Sequence, residues 1–180
     1  MASKEKRILV AYLTIPDTLA QTSQKLAEVT GGYLFPLEPA APYLPRDFKP
    51  DRPRSRTRWE AKTFRERPAI RNRIYFMDDF FKIYLGFTHW WYGIPRLIQS
   101  FLEEYDFTDK CIIPFTTSGT PGAEELTERV TVLSEAYPIP YWLPLTILKD
   151  NITEEELREW VATLPRRTKK RRSKGKICES

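Results

Sequence analysis

Residues 8–37 read ILVAYLTIPDTLAQTSQKLAEVTGGYLFPL, and this stretch decides the fold. Its first six residues are an unbroken apolar run, the mark of a strand buried on both faces of a parallel sheet. From Thr18 to Val29, the residues Leu19, Thr22, Leu26 and Val29 return at helical spacing. Gly31-Gly32 then ends that helix. Tyr33 to Leu37 reads as a second strand. Pro36 inside it has no N–H for a ladder, which assigns the strand to a sheet edge.

The alternation continues downstream. Phe80 to Phe87 is a third strand, Ile94 to Tyr105 a helix with Pro95 in its first turn, and Cys111 to Thr116 a fourth strand. Ala123 to Leu133 reads as a helix, and Tyr141 to Leu148 as a weaker fifth strand interrupted by Pro144. Thr153 and Glu156 have the Thr-x-x-Glu form of a capping box and start a last helix to Leu164. Strands alternating with helices in this way predict an α/β fold, a doubly wound parallel sheet with helices on both faces. Ligands of such sheets bind beyond the carboxyl ends of the strands. Three loops lie there: residues 14–18, 88–93 and 116–122.

A chain of 180 residues with 41% apolar content supports one domain, here 1–164. A Pro/Arg-rich excursion at about 38–73 interrupts it, with one helix suggested near Trp59–Phe64. The net charge of +5 is uneven: residues 165–180 hold eight of the 29 basic residues and one of the 24 acidic ones, so residues 1–164 carry −2. This tail reads as a solvated, disordered terminus. The alternative is contact with a polyanion, whether nucleic acid, an anionic membrane surface or an acidic redox partner. No apolar run approaches the roughly 18 residues of a membrane helix, and MASKEKRILV lacks the apolar core of a signal peptide. The expected compartment is therefore cytoplasmic. Two cysteines and one histidine make neither a disulfide framework nor a metal site. Cys111, inside an apolar run, reads as a small buried hydrophobe. No side chain stands out as a nucleophile or an acid–base pair, so no catalytic residue is assigned.

Several stretches carry a resemblance. They are Ile8-Leu9-Val10-Ala11-Tyr12, Ala27-Glu28-Val29-Thr30-Gly31-Gly32, and Leu34-Phe35-x-Leu37-Glu38-Pro39. Leu85-Gly86-Phe87-x-x-Trp90-Trp91-x-Gly93-x-Pro95 and Phe101-Leu102-Glu103-x-Tyr105-Asp106-Phe107 follow, then Lys110-x-Ile112-Ile113-Pro114-Phe115-x-Thr117-Ser118-Gly119. Together they resemble the small bacterial flavodoxin-like proteins over about residues 6–164. The resemblance implies a five-stranded sheet in the order 2-1-3-4-5 that binds FMN noncovalently. It implies electron transfer to a redox partner protein, or flavin-dependent reduction of a small acceptor such as a quinone.

On that resemblance the first loop takes the phosphate and the other two flank the isoalloxazine ring. Thr14 and Thr18 offer hydroxyls to the phosphate. Asp17 stands where the family has glycine, and it reads either as a repulsive charge beside the phosphate or as the N-cap of the first helix. The second loop contributes Thr88, Trp90, Trp91 and Gly93, with Trp90 preferred for stacking on the ring; the alternative places one tryptophan in the core. The third contributes Thr116, Thr117, Ser118 and Gly119 to the pyrimidine edge. The rival expectation is a degenerate flavodoxin-like module that has lost FMN and acts as an interaction protein. Oligomeric state is not written in these patterns.

Overall fold

Parallel strands in the order Tyr33–Leu37, Arg7–Leu13, Phe80–Gly86, Cys111–Thr117, Tyr141–Trp142 form the sheet of the computed structural model, which describes residues 7–166. The expected role of the basic tail concerns mostly residues outside the described ones, and so does Cys178. Arg7–Leu13 (β1) lies between Tyr33–Leu37 (β2) and Phe80–Gly86 (β3), and Cys111–Thr117 (β4) follows on the far side of β3. Leu9, Val10 and Ala11 expose no surface, as an apolar run covered on both faces requires. Pro36 sits opposite Tyr12 in the edge strand β2.

The expected fifth strand is divided. Tyr141–Trp142 (β5) and Thr146–Leu148 (β6) both pair with β4. Pro144 stands between them and has no N–H for the ladder, so the pairing cannot run through it. Leu143 makes the last upstream bond, its N–H to the Ile112 carbonyl at 2.9 Å, and pairing resumes with Thr146 opposite Phe115.

The helices are Asp17–Thr30 (α1), Arg56–Lys62 (α2), Arg96–Glu104 (α3), Glu125–Ala136 (α4) and Glu154–Thr163 (α5). They cover both faces. Tyr84 and Phe115 meet Trp160 of α5 on one side, and Phe35, one residue out of phase with Tyr84 in register, meets Phe101 of α3 on the other. Gly31 ends α1 in the left-handed region at φ 64°, where a side chain is disfavoured. Thr153 and Glu156 form the expected capping box at α5.

The Pro/Arg-rich excursion is folded back on itself. Pro39 bridges to Ile70, Ala40 donates to the Ala69 carbonyl at 2.7 Å, and Arg71 pairs with Glu38, so its two ends meet beside β2. In its middle, the buried Glu60 carboxylate accepts Arg56 Nε and the Tyr43 hydroxyl, each at 2.7 Å. Burial, then the Glu60 charge, pushes the Tyr43 phenol pKa up. Arg96, at the start of α3, donates to the Glu60 and Ala61 carbonyls at the end of α2. A cation on the last carbonyls of a helix is favourable. This ties the excursion to the segment following the second loop.

Candidate functional site at the carboxyl ends of the strands

The first loop is three residues long, from Leu13 of β1 to Asp17 of α1. Pro16 occupies the N-cap position, after a cis Ile15–Pro16 peptide, and no side chain caps the helix. The N-cap reading of Asp17 is thereby corrected. Proline at φ −81° already supplies the extended entry, and its carbonyl accepts Leu19 N–H at 3.1 Å and Ala20 N–H at 3.3 Å. The Asp17 side chain is exposed in the first turn and takes none of the helix donors. Among the described residues, the N–H groups of Asp17 and Thr18 and the hydroxyls of Thr14 and Thr18 have no partner. Such donors at the positive end of a 14-residue helix are those that hold a phosphate. The Asp17 carboxylate adds a like charge on the same turn.

The second loop is closed by reciprocal bonds between Trp90 and Gly93, 2.9 and 3.1 Å long, with Trp91 at φ 54°. A tryptophan in the left-handed region costs about 1–2 kcal/mol. The excursion holds it there. Trp91 Nε1 donates to Thr57 Oγ1 at 2.8 Å, and the Arg58 guanidinium lies over the indole, 4.5 Å from its centroid. Trp90 is half-buried, met edge-on by Tyr43 at 5.1 Å and Phe48 at 5.0 Å. Thr88 is buried and its hydroxyl has no partner among the described residues; Gly93 is buried as well.

In the third loop, Thr116 and Thr117 expose no surface, so in this conformation they present nothing to a ligand. Thr117 Oγ1 bonds Thr120 Oγ1 at 3.1 Å, while the Thr116 hydroxyl is unpartnered among the described residues. Ser118 and Gly119 are exposed, yet their N–H groups are taken by the Leu148 carbonyl at 2.7 Å and Asp150 Oδ1 at 2.8 Å. The second and third loops touch. Gly122 is at φ 75°, and a Cβ there would lie 2.7 Å from His89 Nδ1. Burial lowers the His89 pKa, Glu125 opposes that effect and Arg129 adds to it.

The fold therefore brings the three loops to one edge. Thr14, Thr18, Trp90, Trp91, Ser118 and Gly119 reach the surface there, while Thr88, Gly93, Thr116 and Thr117 lie beneath it. Sequence reasoning missed Tyr43, Phe48, Thr57 and Asp150. None of them stands in a periodic pattern, and each reaches the site from at least 31 residues away. The described residues hold no group of three His, Cys, Asp or Glu that suits a metal ion. No helix among them is long and apolar enough to cross a membrane.

A family model described as flavodoxin matches residues 7–164. The chain belongs to the flavodoxin family. Among solved structures, a candidate flavoprotein from Bacteroides eggerthii is 32% identical, with a TM-score of 0.77 over 87% of this chain and 96% of that one. A second, from Bacteroides uniformis, is 29% identical with the same TM-score, covering 87% and 98% of the two chains. A flavoprotein from Lactobacillus acidophilus, solved in complex with FMN, is 15% identical with a TM-score of 0.60 and covers 87% of this flavodoxin-family chain and 99% of its own; it shares the fold. No curated protein matches the chain.

Proposed function

We propose that this flavodoxin-family protein binds FMN across the carboxyl ends of β1, β3 and β4, and passes electrons to a redox partner or reduces a small acceptor. The observation that carries this reading is the first turn of α1. Thr14, Asp17 and Thr18 hold donors there with no protein acceptor among the described residues, which suits a phosphate. The FMN complex of the Lactobacillus acidophilus protein, on the same fold, supports it. FMN would supply the redox chemistry. The chain would bind and shield it: Thr14 and Thr18 at the phosphate, Trp90 and Trp91 beside the ring, the Ser118 hydroxyl at its polar edge. The fixed indole of Trp91, bonded to Thr57, keeps that wall in one place.

The rival reading, a module without flavin that acts by binding other proteins, is favoured by the internal bonds of Ser118 and Gly119 N–H and by Arg58 on the Trp91 ring. Visible absorbance of the purified protein, followed by FMN titration of the apoprotein, separates the two. Bound flavin whose affinity rises about tenfold in Asp17→Gly supports the proposed site. A colourless protein that takes up no FMN, with or without Asp17→Gly, favours the rival.

A further inference from the structure

The excursion carries a groove of its own, outside the strand ends. Its volume is about 770 Å³, and its walls come from Arg46-Asp47, residues 51–56 and Trp59. Sites for small-molecule ligands occupy roughly 300–1,000 Å³. The groove is therefore of nucleotide size.

Its charges are unbalanced in a particular way. Arg56 is committed to Glu60 and lies over the Tyr43 ring at 4.4 Å. Asp47 is committed too, its carboxylate accepting Leu44 N–H at 2.8 Å. Arg46, Arg52 and Arg54 make no ion pair within the described residues. Among the described residues, these three guanidinium groups without an ion pair share one groove with the Asp51 carboxylate, and together they favour an anion of more than one charge. Their planar forks match phosphate oxygens two at a time.

Two further features point to a ligand. Trp59 lines the groove with 53% of its surface exposed, and such a ring offers a stacking platform for another. Ser55 is 6% exposed, yet its hydroxyl has no partner among the described residues and does not cap the helix it precedes. Ser55 is one of the residues lining the groove, and an unsatisfied hydroxyl there suits an oxyanion ligand.

We propose that this groove binds an aromatic small molecule carrying a phosphate group, with Arg46, Arg52 and Arg54 on the phosphate and Trp59 on the ring. The groove shares no lining residue with the proposed FMN seat, and Asp17 is absent from its walls. The two proposals can fail separately.

Isothermal titration of the full chain with AMP, adenosine and inorganic phosphate tests it. Expected is saturable AMP binding, with adenosine and phosphate each weaker by about tenfold or more, because each keeps one of the two contacts. Trp59→Ala and the double substitution Arg52→Ala/Arg54→Ala change exposed side chains, so both variants should fold, as circular dichroism would verify. Each should weaken AMP by roughly tenfold, while Asp17→Gly leaves AMP unchanged. Absence of saturable AMP binding, or AMP binding equal in wild type and both variants, overturns the proposal. So does a gain of about tenfold in Asp17→Gly, which would put the AMP phosphate at the first turn of α1 instead.

Discussion

The backbone N–H of Gly119 donates to the Asp150 carboxylate at 2.8 Å, and a Cβ built on Gly119 would lie 1.9 Å from Asp150 Oδ2. The loop after β4 is thus closed against the segment after β6, and the close approach accounts for glycine here. Gly119→Ala must expel the carboxylate and lose the bond, which should lower stability by about 1–2 kcal/mol. Asp150→Ala removes the acceptor and should cost about 1 kcal/mol. Because the double variant removes the clash with the bond, urea unfolding should show its loss to be smaller than the sum. Strict additivity would mean that the two residues do not share one contact.

Thr57 joins the excursion to the second loop by accepting Trp91 Nε1–H and donating to the Asp47 carbonyl. Thr57→Val keeps the shape and leaves both partners unsatisfied. A stability loss of about 1–3 kcal/mol is expected, with most of it recovered in Thr57→Ser. Chemical denaturation followed by tryptophan fluorescence checks this; a neutral Thr57→Val would mean that the Trp91 turn stands without the excursion.

If the first turn of α1 seats a phosphate, Thr18→Ala should discriminate between flavins. Loss of one hydroxyl bond to a charged group is expected to weaken FMN by about tenfold and leave riboflavin unchanged. Parallel titrations with both flavins read the difference. Equal weakening would place Thr18 away from the phosphate.

Glu156 offers a test by pH. The Thr153 backbone N–H, then the Lys149 ammonium, pulls its carboxyl down from 4.5 to about 2. A depressed folded pKa gives stability that is complete above the unfolded value, 4.5, and is lost as pH falls toward 2. The start of α5 should therefore loosen on acidification across that window. Relative to wild type, Glu156→Ala should be destabilised by a constant amount above pH 4.5, and the gap should close toward pH 2. A gap unchanged at low pH would assign the effect to the capping hydrogen bond from Thr153 N–H instead of charge.

The sequence by itself determined the sheet. Leu9, Val10 and Ala11 had to be covered on both faces, Pro36 had to stand at an edge, Gly31 had to end α1, and Thr153 with Glu156 had to begin α5. Each is a local requirement of hydrogen bonding or backbone geometry, carried by residues within a few positions of one another. The split at Pro144 was legible for the same reason, as an interruption. The tertiary structure alone decided the site. Nothing near Trp91 in the chain announces Thr57 and Arg58, nothing near Gly119 announces Asp150, and no periodicity closes the arginines of the excursion around Trp59. These contacts join residues separated by long loops, whose closure entropy is outweighed only once the rest of the fold has formed. Even the N-cap of α1 was of this kind: Asp17 has the right side chain for it, but the Pro16 backbone takes the position, leaving the carboxylate exposed beside the donors of Thr14 and Thr18.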